Sequence, residues 1–113
     1  MNFIKYFTFP KYEENKCDCW FLVCEIFKDE HNLILPSHPI MISDKDSATY
    51  LKSNIDYSIV DKAQKGCIVY YTLGDIHHAG YALDDKKFIH NTKKGVRVDK
   101  IPQNATIYKV LND

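Results

Sequence analysis

One segment constrains the fold more than any other. From Asp18 to Asn32 the chain reads Asp-Cys-Trp-Phe-Leu-Val-Cys-Glu-Ile-Phe-Lys-Asp-Glu-His-Asn. Trp20, Val23, Cys24 and Phe27 recur at helical spacing, and Phe21, Leu22 and Ile26 widen the stripe until most of the cylinder is apolar. A helix of this kind is buried on nearly every side, so the rest of the chain has to cover it. Asp18 supplies an N-cap and Asn32, with Pro36 beyond, a stop, which predicts a central helix over 19–31.

The material available to cover that helix is modest. With 113 residues the chain makes one ordinary domain, 1–113, and leaves no room for a second. Hydrophobic residues at 45% and charged residues at 27% are a globular composition, neither disordered nor membrane-like. Fifteen basic residues balance fifteen acidic ones, which argues against a nucleic acid or an anionic lipid surface as partner. The opening stretch, MNFIKYFTFPKYEENK, has no apolar run of signal-peptide length, and nothing elsewhere is long enough to insert in a membrane. Synthesis in the cytoplasm without a signal peptide is the expectation. The four cysteines, at 17, 19, 24 and 67, agree with it: Cys17 and Cys19 are too close to pair comfortably, so reduced thiols are expected.

Downstream the pattern changes period. A second helix is expected over 44–53, opened by Ser43 with Asp46 three residues on. After Gly66 the segments 67–73, 76–83, 87–91, 95–100 and 105–111 read as strands, rich in β-branched and aromatic residues or alternating. An early buried helix packed on a C-terminal antiparallel meander makes the fold class α+β.

Chemistry concentrates at the start of the buried helix. Cys19 directly follows the cap, where free N–H groups and the helix dipole favour thiolate over thiol. Such a cysteine becomes a nucleophile when a base is close. By itself a free cysteine is more often a small buried residue. Histidines on neighbouring strands supply the base. If the turn between 76–83 and 87–91 is a three-residue loop, Asp84 to Lys86, then Leu83 pairs with Lys87, Ala82 faces Phe88 and Gly80 faces His90. His78 and His90 then share one sheet face as diagonal neighbours, whereas a two-residue loop would separate them. Gly80 and Ala82 on that face are small, which predicts a close approach of the helix N-terminus there. In that geometry His78 takes the thiol proton and His90 fixes its tautomer. His77 points to the other face, and His31 and His38 receive no role. Zinc is disfavoured, because Cys17, Cys19, Cys24, Cys67 and the His77-His78 pair lack the spacing of paired ligands.

These residues resemble a known family. Asp18-Cys19-Trp20-Phe21-Leu22-Val23, with Lys28-Asp29-Glu30 and Leu33-Ile34-Leu35-Pro36, is similar to the nucleophile helix of the NlpC-type cell-wall peptidases, and tryptophan after the cysteine resembles their phage tail-assembly branch. Lys65-Gly66-Cys67-Ile68-Val69-Tyr70-Tyr71, His78-Ala79-Gly80-Tyr81-Ala82-Leu83, Phe88-Ile89-His90 and Gly95-Val96-Arg97-Val98 resemble, in order, the family's following strands. The resemblance covers about residues 17–101 and implies a papain-like fold with a Cys19, His78, His90 site and no cofactor. It implies cleavage of amide bonds in peptidoglycan stem peptides, next to D-glutamate and a diamino acid. Tyr6, Asp18 and Trp20 are the substrate-binding residues it suggests, and phage tail proteins the partners, with virion association as the route to the wall. The chain departs from the pattern at Phe21, where the family has a small residue, and upstream, where Tyr6 is the nearest match to a tyrosine that paired glycines usually accompany. Two further functions stay open: a structural or tail-assembly protein of the same fold, and an amidase or deamidase acting on protein side chains.

Overall fold

A computed structural model describes residues 3–8, 18–35, 57–74 and 76–110. The expected helix over 44–53 and Cys17 lie outside the described residues. A short 3-10 helix, Phe3–Thr8, precedes helix α1, Cys19–His31. Among the described residues six strands follow: β1 (Tyr57–Val60), β2 (Ile68–Leu73), β3 (Ile76–Ala82), β4 (Lys87–Thr92), β5 (Gly95–Lys100) and β6 (Thr106–Val110). They form one antiparallel sheet in the order β1-β6-β2-β3-β4-β5. The class is α+β, as the sequence predicts.

Helix α1 has the predicted bounds, and its ends explain them. The Asp18 carboxylate accepts from the Phe21 N–H at 3.0 Å, and Asn32 takes the left-handed conformation (φ 52°) that ends the helix. Cys19, Trp20, Leu22, Val23, Ile26 and Phe27 are all buried. They pack on one face of the sheet, against Ile68, Tyr70, Ala79, Tyr81, Ile89, Tyr108 and Val110. At the far end of the helix His31 Nε2 is 2.6 Å from the Tyr81 hydroxyl, which ties the last turn to β3.

Strands β2 to β5 form the expected meander, but β6 does not extend it. Instead β6 returns to the outer side of β2 and inserts between β2 and β1. Strand β1 was not expected from the sequence, being only four residues long and without clear alternation.

The β3–β4 connection is the three-residue loop. The Asp84 carboxylate accepts from the Lys86 and Lys87 N–H groups at 2.8 Å each, and the Leu83 N–H bonds the Lys87 carbonyl at 2.9 Å. Ala82 pairs with Phe88 and Tyr81 with Ile89, and one further step of the same register sets Gly80 opposite His90. The paired ladder stops at Tyr81–Ile89, although β3 continues back to Ile76 and β4 on to Thr92. Beyond that point the two strands part.

One expectation is corrected here. The space beside Gly80 does not admit the helix. A Cβ built there would lie 2.4 Å from Cδ2 of Phe88 and 2.9 Å from the Ile89 carbonyl oxygen, so the Phe88 ring fills it. The helix packs on the opposite face, where Ala79 is the small residue that lets it approach. Gly80→Ala should therefore destabilise the fold by about 1–3 kcal/mol, read as a lowered urea midpoint, and the loss should shrink in a Phe88→Leu background.

Candidate active site

Backbone direction decides what meets Cys19. The Ala82 N–H bonds the Cys67 carbonyl at 2.9 Å, so on β3 the even-numbered N–H groups point to β2 and the odd-numbered ones towards β4. Ala79 is odd, and β4 has already parted from β3 at its level. The sulfur of Cys19 takes the place of a strand: the Ala79 N–H donates to it, as do the N–H groups of Cys19 and Trp20 at the helix start. Cys19 is fully buried. Among the described residues no hydrogen bond joins its sulfur to a histidine; His78 is the chain neighbour of Ala79.

Burial overrides the helix dipole at this sulfur. Desolvation pushes the Cys19 thiol up to about 12, and the Asp18 carboxylate adds to the effect, against the three N–H donors that favour thiolate. The expectation of a thiolate held at the helix start is thus corrected: the resting group is a neutral thiol.

The two histidines are joined as the register required. His78 Nε2 lies 2.7 Å from His90 Nδ1, and both side chains are buried. Phe88 stacks on His90 with ring centroids 4.2 Å apart, and Tyr71, paired directly across from His78, meets it edge-on at 5.4 Å. This small cage keeps the imidazoles out of water. Burial, and to a lesser degree the neighbouring His90, push His78 down to about 4, and burial also lowers His90. Tyr71 is pushed up to about 12 by burial first and then by the charge of Asp99, so its hydroxyl stays protonated.

Sequence reasoning did not include Asp99. Its Oδ2 lies 2.7 Å from His90 Nε2 and 3.4 Å from Arg97 Nε. The His90 bond first, then Arg97, hold its carboxyl below the usual range. The signal was present: the turn between Thr92 and Gly95 pairs His90 with Arg97 and Phe88 with Asp99, which makes Asp99 a diagonal neighbour of His90. The two imidazoles and the Asp99 carboxylate are bonded one to the next, His78 to His90 to Asp99, and among the described residues no group of three His, Cys, Asp or Glu side chains could hold a metal ion.

Three candidates remain, Tyr6, Trp20 and Asp18. Tyr6 is buried with its hydroxyl donating to Asp29 Oδ2 at 2.9 Å, ten residues along α1 from Cys19 and therefore about 15 Å down the axis. Trp20 is buried in the core against the sheet, and Asp18 is buried as the helix cap. Asp18 and Trp20 flank Cys19 in the chain, whereas Tyr6 is tied to the later part of the helix. His77 stacks on Tyr70 on the helix side, with Nδ1 3.1 Å from the Tyr70 hydroxyl.

A pH dependence of stability follows from the histidines. Because the folded-state value of His78 is about 4 against an ordinary 6.5, the unfolded chain takes up the proton first as pH falls. Stability is thus highest above pH 6.5 and declines by about 3 kcal/mol on going to pH 4. Burial shifts His90 in the same direction, whereas the Asp99 contribution is lost only at lower pH. Urea unfolding between pH 4 and 7 should show that slope, and His78→Gln should flatten it.

Comparison with curated proteins gives no match. A model of the NlpC/P60 family, cysteine peptidases that act on peptidoglycan peptides, matches residues 5–112. That span includes the helix that carries Cys19, both histidine strands and strand β6. The chain belongs to the NlpC/P60 family.

Proposed function

We propose that the chain is a cysteine hydrolase that cleaves amide bonds in bacterial cell-wall stem peptides, with Cys19 as nucleophile and His78 as general base. The observation that carries the reading is the 2.7 Å bond between His78 Nε2 and His90 Nδ1. It occupies one nitrogen of His78 and leaves Nδ1 for the thiol. Family membership supports the same substrate class.

Because both resting groups are neutral, the proton moves as the sulfur attacks. Cys19 Sγ forms a bond to the scissile carbonyl carbon while its proton passes to His78 Nδ1. The carbonyl oxygen gains the negative charge, and the Cys19 N–H, which supports the sulfur at rest, turns to it as donor. His78 then gives the proton to the departing amine, leaving a thioester that water hydrolyses. His90 holds the His78 ring throughout.

Delivery to the wall by a phage tail is part of the proposal, supported by the resemblance of Asp18-Cys19-Trp20 to the tail-assembly branch. Association with the virion is the localisation it entails. A second reading, a tail-assembly protein with a dormant site, draws on the complete burial of Cys19 and its raised thiol.

Incubation of purified muropeptides with reduced protein should yield fragments whose masses identify a cut amide bond. Cys19→Ala should abolish them, and His78→Ala should slow them by roughly 10²–10⁴-fold. Intact muropeptides with wild-type protein, together with tail-protein binding that survives Cys19→Ala, would favour the dormant reading. Release of ammonia from a protein substrate would point to the deamidase.

A further inference from the structure

The order of donors and acceptors from His78 through His90 to Asp99 can be worked out from its outer end. Asp99 is ionised, since His90 and Arg97 hold its carboxyl below the usual range. It borders a shallow depression whose other lining residues are Thr92, Lys93, Lys94 and Arg97, so the nearby charges are cationic. An ionised carboxylate only accepts hydrogen bonds. His90 Nε2, at 2.7 Å from it, therefore carries a proton. Burial keeps His90 neutral, so its Nδ1 is bare and accepts. The partner at 2.7 Å, His78 Nε2, then carries a proton, and in neutral His78 this leaves Nδ1 bare. Each assignment forces the next.

We infer that Asp99 is a positioning residue that sets the tautomers of His90 and His78 and so presents the basic Nδ1 of His78 to Cys19. The inference rests on the hydrolase reading for its effect on turnover, though the tautomers are independent of any substrate. Without the carboxylate, His90 is free to carry its proton on Nδ1. His78 Nε2 would then have to accept, its proton would sit on Nδ1, and the nitrogen that the hydrolase reading assigns to the thiol proton would be a donor with no lone pair. Half-exposed Asp99 can do this from outside the dry cage, at two removes from the sulfur. Arg97 shares the same carboxylate oxygen, at 3.4 Å, and restrains its orientation.

The test uses full-length protein with ¹⁵N-labelled histidine, and long-range ¹H–¹⁵N spectra that distinguish the two ring nitrogens at neutral pH. Wild type should show His90 and His78 each protonated at Nε2 only. In Asp99→Ala the His90 proton should spread to Nδ1 and the His78 pattern should lose its uniformity. Turnover of a wall peptide should fall on the order of 10²–10³-fold in kcat with little change in KM, and Asp99→Glu should recover part of it. Asp99→Asn removes the charge and offers an amide that donates as well as accepts, so it too should release the His90 and His78 tautomers, and it serves if alanine prevents folding. A wild-type His78 protonated at Nδ1, or tautomers unchanged in Asp99→Ala, would overturn the inference. Wild-type protein with the expected tautomers and no action on wall peptides would instead count against the hydrolase reading and leave the Asp99 assignment standing.

Discussion

Where β3 parts from β4, the Ala79 N–H loses the strand that would have accepted it, and the first turn of α1 brings the Cys19 sulfur there instead. A buried N–H without a partner costs about 1–3 kcal/mol, so the gap and the helix start stabilise one another. The rest of the site follows from this contact. Ala79 and His78 are consecutive on a strand, so their side chains face opposite sides of the sheet. The helix packs on the Ala79 side, and the imidazoles lie on the other. Only at the parting of the strands can a group carried by the helix come near both. The sheet is thus not simply a floor for the helix, since the break in its ladder is the passage between its two faces.

Dryness is the second determinant. A helix start favours a negative group by about 0.3–1 kcal/mol, reaching ~2 in favourable geometries. Each unit of pKa corresponds to about 1.4 kcal/mol, and the Cys19 thiol is raised from 9.0 to about 12, so desolvation outweighs the dipole and the N–H donors together. The same physics lowers His78 and raises Tyr71. A ready-made thiolate–imidazolium pair is therefore not the resting form. The protein instead holds neutral groups in fixed orientation and leaves charge separation to the moment of attack.

The parts of this arrangement that were legible from sequence were those set by local chemistry. The limits of α1 could be read because Asp18 and Asn32 have side chains suited to helix ends and the residues between are apolar all round. The pairing of His78 with His90 could be read because loop length alone fixes an antiparallel register. Choosing the face of the sheet that receives the helix needed three-dimensional volumes. Small residues stand on both faces of β3, and the Phe88 ring claims the one beside Gly80. Asp99 was accessible to the same counting that found His90, applied one hairpin later. Tyr6 entered through family resemblance, and its hydroxyl goes to Asp29 instead, where Lys5 also reaches the same carboxylate oxygen at 3.3 Å.

The placement of β6 bears on how the molecule comes together. Strands β2 to β5 can zip sequentially through short turns, but the outer side of β2 and the whole of β1 wait for residues 106–110. Until those residues arrive, Ile68, Val69 and Tyr70 present an apolar edge with unsatisfied backbone groups, a ready template for another chain. Closing that edge spans some forty residues of sequence, which makes it a slow, non-local step. Strand β6 would thus act as the latch of this edge, and a chain interrupted before it would be left prone to intermolecular pairing.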